Sequence, residues 1–487
     1  MTFEIRPKDL KQYPHFDSPI AAEELLSIVT DPEKVRTNPF FPFLKYTKKY
    51  QPFRDRPDRP NPKQRLIRYA SRRDAAIFSY YRHVLAEKYE ARLIDLGIQD
   101  CPTAYRKIPA DESDTRGKCN IDFAQDVFDD IVAQSNCVVV NLDISSFFEC
   151  IDHKHLYKVW CGLLGVDHLP VDHLAVFKAI TKYAVVDRDA VYERLGLIEE
   201  VALEDGTTAK KYTCAYRDVP KQLCSPQEFR LKVMGKDPAY DSLNVVNLND
   251  YGIPQGAPIS DLLANAYLME FDQVIFAYAT SLGGRYWRYS DDIVLVLPVN
   301  TSQGIAARDF VANSISKFGD QLKIKREKTS VVEYMGVGTE DSRFKLLEGN
   351  TGRNGLEYLG FRFDGENVYI RESTLSNFYR KITRRARSQS RKHVARFPGK
   401  SRDWLLDNFD FSDFEKRYGR VHDFESLATR KGWTFWTYVK RAAEQFGQRG
   451  LRMYRQLRRY RSYVKDAVGK EIDRQLDLAS STTADDL

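Results

Sequence analysis

Three acidic residues stand where a carboxylate is costly. Asp143 ends the run Cys-Val-Val-Val-Asn-Leu-Asp (137–143), and Asp291 and Asp292 lie between Trp-Arg-Tyr-Ser (287–290) and Ile-Val-Leu-Val-Leu (293–297). Adjacent acids beside a buried strand repel one another and lose hydration, so they persist where a positive charge neutralises them. Mg²⁺ is the natural candidate: it takes a few carboxylates together with phosphate oxygens, and two such ions can clamp the entering and leaving oxygens of an in-line phosphoryl transfer. Mn²⁺ would be the substitute. An isolated Asp-Asp is ordinarily a turn or a helix cap, but Tyr289 before this one and the β-branched run after it argue against a turn alone. His153 and His155 follow in Ile-Asp-His-Lys-His, where a helix starting at Asp152 with surface histidines accounts for them without chemistry. No Ser-His-Asp or zinc-type constellation competes.

The elements that must position these acids follow from periodicity. Cys137 to Leu142 and Ile293 to Leu297 are short apolar, β-branched runs, the pattern of buried strands delivering acids at their ends. Helical spacing recurs over Gln64 to Leu96 and again over Asp122 to Ala133. Leu322 to Glu333 and Leu356 to Phe363 are strand-like, and from Leu375 onward helical spacing with basic faces takes over. Residues 1–63, rich in Pro and aromatics (Pro39 to Phe43, then Pro52, Pro57, Pro60 and Pro62), predict an irregular arm with one helix near Ala21 to Thr30. Glu199 to Asp250 is polar and poorly periodic and has the character of an insertion. The whole predicts an α+β protein.

The chain has 487 residues, 43% hydrophobic and 29% charged. With a mean hydropathy of −0.50, that describes a soluble globular protein. No apolar run is long enough for a membrane span, and the first residues carry no apolar signal segment. Seven cysteines without a Cys-x-x-Cys pair suit reduced thiols, so the expectation is a cytoplasmic protein. The net charge of +7 is modest, but its distribution is not. Ten Lys or Arg and no acid lie between Ser373 and Arg402, and eleven more lie between Arg430 and Lys465 with Glu444 the only acid. One such run is ordinarily a solvated helix face; two, interleaved with Tyr and Phe, point to a groove for polyphosphate, with nucleic acid the leading partner.

Tyr289-Ser290-Asp291-Asp292 resembles the Tyr-x-Asp-Asp box of reverse transcriptases, and Asp143-Ile144-Ser145-Ser146-Phe147-Phe148 resembles their motif A. Gly252-Ile253-Pro254-Gln255-Gly256-Ala257-Pro258-Ile259-Ser260 is similar to the Pro-Gln-Gly motif of the bacterial branch. Lys325 to Thr329 resembles the motif D loop, and Tyr358-Leu359-Gly360-Phe361 resembles motif E. The five boxes occur in the family order over roughly residues 100–365. The resemblance implies a right-hand polymerase fold, with fingers and palm of reverse-transcriptase type and an α-helical basic thumb and C-terminal extension. Its implied boundaries are an arm at 1–63, fingers at 64–142, palm at 143–365 with the insertion near 199–250, and thumb and extension at 366–487.

The implied site assigns Asp143 and Asp291 to both metal ions, Asp292 as a closer or more peripheral ligand, and the Ile144 carbonyl to complete a shell. Phe148 would collide with a ribose 2′-OH and so select dNTPs, although the adjacent Phe147 is the alternative if the pleat runs in the other phase. Gln255 and Gly256 would offer a close backbone approach to template and nucleotide, beside Tyr289. Lys328, or alternatively Lys325, would steady or protonate pyrophosphate. Ala104-Tyr105-Arg106-Lys107 resembles the fingers segment whose Arg contacts the triphosphate, a contact Arg is suited for. RNA would be gripped by Arg380, Arg384, Arg385 and Arg391 of the first basic run and by Arg452, Arg455 and Arg459 of the second. In the second run Leu451, Tyr454, Leu457 and Val464 would pack on the opposite face.

The retron Asn-Ala-x-x-His and Val-Thr-Gly boxes are absent, as are paired cysteines of an HNH module. What remains resembles the bacterial "unknown group" and abortive-infection enzymes, the defence-associated reverse transcriptases. The partners so implied are an RNA template in the form of a dedicated noncoding RNA, dNTPs and a cDNA product, with no membrane and with a homo-oligomer left open. The alternative is a retron-like or intron-derived reverse transcriptase or maturase acting mainly as an RNA-binding protein.

Overall fold

A computed structural model describes residues 3–50, 63–110, 116–202, 208–349, 352–418 and 434–484. The expectations placed on Pro52, Pro57, Pro60, Pro62, residues 203–207, Arg430 and Lys431 lie outside the described residues.

The chain is mixed helix and sheet. Its centre is a five-stranded antiparallel sheet in the order Arg343–Gly349, Ser330–Met335, Cys137–Asp143, Asp292–Leu297, Arg285–Tyr289. Both faces are covered, which is why its strands carry continuous apolar runs rather than an alternation with polar residues. Successive side chains of the middle strand go to opposite cores. Val138, Val140 and Leu142 join Ile293, Leu295 and Leu297 under the helices Ser260–Tyr267, Met269–Ser281 and Thr301–Ile315. Cys137 and Val139 join Val294, Val296, Val332 and Tyr334 on the other side, under Asn120–Gln134 and the C-terminal helices. At Gly304 a Cβ would come within 2.3 Å of the Val138 side chain, so the helix Thr301–Ile315 packs closely on the middle strand.

The segment expected to be irregular contains a strand. Phe43–Tyr50 pairs antiparallel with Lys63–Tyr69 and parallel with Ala184–Asp187, whose far side pairs with Val245–Val246. Helical spacing from Gln64 is therefore corrected: Leu66, Ile67 and Tyr69 belong to this strand, and the helix is Arg72–Asp95. The neighbouring helix near Ala21 forms as Ala22–Val29. The 199–250 insertion is folded. It contains the hairpin Ile198–Ala202/Thr208–Tyr212 and packs Val219, Leu223, Cys224 and Val233 against Phe16, Leu44 and Val186. A buried ion pair, Arg72 with Asp17 at 3.0 Å, ties the arm to the helix, and the same guanidinium donates to the Lys221 carbonyl at 2.6 Å.

The strand-like stretch from Leu322 begins only at Ser330, after a short turn of helix at Arg326–Lys328. The stretch from Leu356 is two strands, Leu356–Tyr358 and Phe361–Phe363, which with Val368–Ile370 form a small sheet. Beyond it the long helices Glu372–Arg396 and Tyr460–Ala484 lie side by side in the same direction, with Tyr379 against Tyr463 and Arg391 against Glu471. Phe378, Ile382, Ala386 and Ser390, four residues apart, form the buried stripe of the first. Among the described residues no helix is long and apolar enough to cross a membrane.

Candidate active site

The sheet brings the three acids together. Asp143 and Asp292 are directly opposite one another across the middle pair of strands, and Asp291 occupies the turn of the Arg285–Tyr289/Asp292–Leu297 hairpin. That turn is closed by Ser290 in left-handed backbone, φ 59°. It is fastened to the middle strand by the Ile144 amide, which donates to the Asp291 carbonyl at 2.9 Å. On the far side the Lys325 amide donates to the Asp143 carbonyl at 2.7 Å, which brings the Arg326–Lys328 turn alongside. The Lys328 ammonium lies on the Asp143 carboxylate, which is 6% exposed.

The electrostatics follow from this crowding. Burial, then the negative charge of Asp143, holds the Asp291 carboxyl above its ordinary range. Asp292 is pushed up to about 7, first by burial and then by Asp291 and Asp143, with Lys328 and Arg371 pulling the other way. Two carboxyls disfavoured as anions and one compensated by a lysine form a site short of positive charge. That donor set, all carboxylate oxygens, fits a hard divalent cation. No three His, Cys, Asp or Glu side chains among the described residues are disposed as a ready-made metal cage.

The residues expected to meet the nucleotide form a second group. The pleat assumed for this stretch is absent: after Ser146 in left-handed backbone the chain forms a short helical turn, Phe147–Cys150, in which Phe147 is in the core at 3% exposure and Phe148 is half-buried. The Phe148 carbonyl accepts from the Ile253 amide at 2.8 Å, docking the loop that carries the exposed Gln255 and Gly256. Gly256 has φ 120°, and a Cβ there would lie 2.2 Å from the Arg68 carbonyl, so only glycine lets the loop meet the Lys63–Tyr69 strand. The sequence carries no signal for Arg68: Leu66 and Ile67 are adjacent, so no apolar alternation marks the strand Lys63–Tyr69. The Arg68 guanidinium is 8% exposed, pairs with Glu149 at 2.5 Å and lies 5.5 Å from the Tyr183 ring. Tyr289 packs beside Tyr105 and Phe123 with ring centroids 6.4 and 6.0 Å away.

Arg106 is placed otherwise than expected. Its side chain is 7% exposed, donates to both Glu90 carboxylate oxygens at 2.9 and 2.6 Å and to the Pro102 carbonyl at 2.6 Å. It braces the loop after helix Arg72–Asp95 instead of presenting a free guanidinium. His153 is buried rather than on the surface, its Nε2 2.7 Å from the Gly252 carbonyl, while Asp152 caps the helix at the His155 amide as expected.

The basic residues divide. Arg385 pairs with Asp413, and Arg391 pairs with Glu471 at 2.9 Å, so acids remote in sequence neutralise part of the first run. Arg384 is exposed and Arg380 half-buried. In the second run Arg452, Arg455 and Arg459 are exposed, with Arg452 Nε donating to Asn367 at 3.1 Å. Leu451 is exposed at 52% instead of packed; Met453, Leu457, Tyr460 and Val464 form the buried face.

No family model matches the chain. Over 79 residues it is 39% identical to a reverse transcriptase. That relative is the retron Ec86 reverse transcriptase of Escherichia coli; the match takes in 16% of this chain and spans about a quarter, 24%, of the relative's length. Among solved structures, telomerase of Candida tropicalis with a TWJ fragment of telomeric RNA aligns at 12% identity and a TM-score of 0.37, over 92% of this chain and 65% of that one. The apo form aligns at 13% and 0.37, over 87% and 68%. These structural likenesses are distant.

Proposed function

We propose that this chain is an RNA-directed DNA polymerase that extends a primer by two-metal nucleotidyl transfer. The observation that carries the reading is the register that sets Asp143 opposite Asp292 with Asp291 in the adjoining turn, in a pocket short of positive charge. Asp143 and Asp291, with Asp292 at their side and the Ile144 carbonyl, would hold Mg²⁺, which would supply charge neutralisation for the attacking and leaving oxygens. The chain's own residues orient the reactants. The loop at Gln255 and Gly256 gives the nucleotide a backbone surface, Phe148 flanks it where a ribose 2′-OH would project, and Lys328 can exchange its contact with Asp143 for a departing phosphate. The exposed arginines of the C-terminal helices suit a nucleic-acid backbone. The further steps, a dedicated noncoding RNA as template and a role in antiphage defence, are part of this proposal; what supports them is the absence of the retron boxes and of paired HNH cysteines from the sequence.

Asp291→Asn should abolish dNTP incorporation on a primed RNA template while leaving RNA affinity within error of the wild type and the metal-free fold at least as stable. Continued incorporation by that variant refutes the assignment. Loss of plating protection in cells carrying the same variant would test the defence role.

A further inference from the structure

Two non-glycine residues beside the carboxylates hold left-handed backbone, Tyr105 at φ 62° and Ser290 at φ 59°. Side chains rarely adopt that region, so the surroundings must keep both residues there. One fully buried assembly reaches each. Arg288, 0% exposed, donates from Nε and from one terminal nitrogen to the two oxygens of Asp272 at 2.7 and 2.6 Å. The same terminal nitrogen meets the Asn265 carbonyl at 3.3 Å, and the other donates to the Asn265 side-chain oxygen at 3.2 Å and to the Ser290 carbonyl at 3.1 Å. Those contacts use all five guanidinium donors. Asn265 passes the connection on, its amide nitrogen donating to the Ala104 carbonyl at 2.7 Å, immediately before Tyr105. The strand itself is stitched to the same segment: the Arg288 amide donates to Cys101, and the Thr103 amide donates to the Arg288 carbonyl, each at 2.9 Å.

We propose that Arg288 is a positioning residue: with Asn265 and Asp272 it locks the two strained residues and thereby fixes the Asp291–Asp292 turn against the 101–105 segment. The proposal rests on the polymerase reading above for its kinetic consequence. The clamp itself is a statement about backbone rigidity and can be measured without turnover.

A guanidinium is needed because its fork spans Asp272 and the Ser290 carbonyl at once, whereas a lysine keeps the charge but is a single point. If Arg288 only compensated Asp272, lysine would serve. Two variants separate the roles. Arg288→Lys keeps the buried pair neutral. Tyr286→Phe combined with Asp272→Leu and Arg288→Met replaces the group by apolar side chains, since the Tyr286 hydroxyl also donates to Asp272, at 2.6 Å; such replacements often preserve a fold that removing one partner would break.

In both variants amide hydrogen exchange should speed up about tenfold or more in peptides covering 101–105 and 288–292 and at Ile144, with Tm retained. The single-nucleotide incorporation rate should fall roughly 100-fold, as misplacement of reacting groups by about 1 Å would do, with KM for dNTP within about threefold. Wild-type exchange and wild-type kcat in either folded variant would overturn the proposal. If the wild type incorporates no dNTP in the same assay, the polymerase reading fails, and the exchange measurement alone decides for or against the clamp.

Discussion

Replacing Asp292 by Asn should make the metal-free protein more stable while removing its activity. In the folded chain the Asp292 carboxyl keeps its proton up to about pH 7, whereas its ordinary value is 3.8. Between those values the folded state binds more protons than the unfolded state, so the contribution of this group to stability falls as pH rises through that window and levels off above it. At about 1.4 kcal/mol per pKa unit the rise sets an upper bound of about 4 kcal/mol on the cost of ionising Asp292 in place. Its side chain is only part-buried, and water screens part of the repulsion, which brings the figure to about 1–3 kcal/mol. Asparagine is neutral at every pH and recovers that amount. For a chain of 487 residues, with an unfolding entropy of ~2 cal/mol/K per residue, this is about 1–3 °C in Tm. The assay is thermal unfolding of wild type and Asp292→Asn in chelator from about pH 8 down to about pH 4. The variant should melt higher at pH 8, with the difference vanishing toward pH 4. Added Mg²⁺ should then raise the wild type and reverse the order, since a cation that binds only the folded state stabilises it. An Asn variant no more stable than wild type at pH 8 in chelator would refute the account of the site as a crowded cluster of carboxylates.

Other expectations follow from single contacts. Phe148→Ala should admit ribonucleotides more readily relative to deoxyribonucleotides in primer extension, whereas Phe147→Ala, in the core, should lose about 3–5 kcal/mol of stability; the reverse pattern would show that Phe147 flanks the sugar. Gly256→Ala sets a Cβ 2.2 Å from the Arg68 carbonyl at φ 120°, so Tm should fall by the equivalent of about 2–4 kcal/mol and KM for dNTP should rise, and a variant unchanged in both would show that the loop yields freely. Reversing the charge of Arg452, Arg455 and Arg459 together should weaken RNA binding and flatten its dependence on salt, because phosphate contacts release counterions; unchanged affinity and slope across a salt titration would remove that face from the interface.

The sequence by itself determined which carboxylates end apolar runs and which strands bear them. Asp143, Asp291 and Asp292 were legible because an acid at the end of an unbroken apolar run has few explanations, and both runs formed the strands expected. The helix near Ala21 and the Asp152 cap followed from patterns that short stretches of chain carry alone, whereas Phe147 and Phe148 lie in a short helical turn, Phe147–Cys150, where no pleat alternates. Other features depended on segments that meet only in the folded chain. Lys63–Tyr69 became a strand because Phe43–Tyr50 pairs with it, and pairing across sequence overrides local spacing. Arg106 was turned inward by Glu90, sixteen residues away, and Arg385 and Arg391 were neutralised by Asp413 and Glu471, which no reading of an acid-free run could include. Of the causes that raise the Asp292 pKa to about 7, burial beside an apolar strand and the adjacent Asp291 were legible in the order of residues, whereas the charge of Asp143 acts only through the register of two strands 149 positions apart.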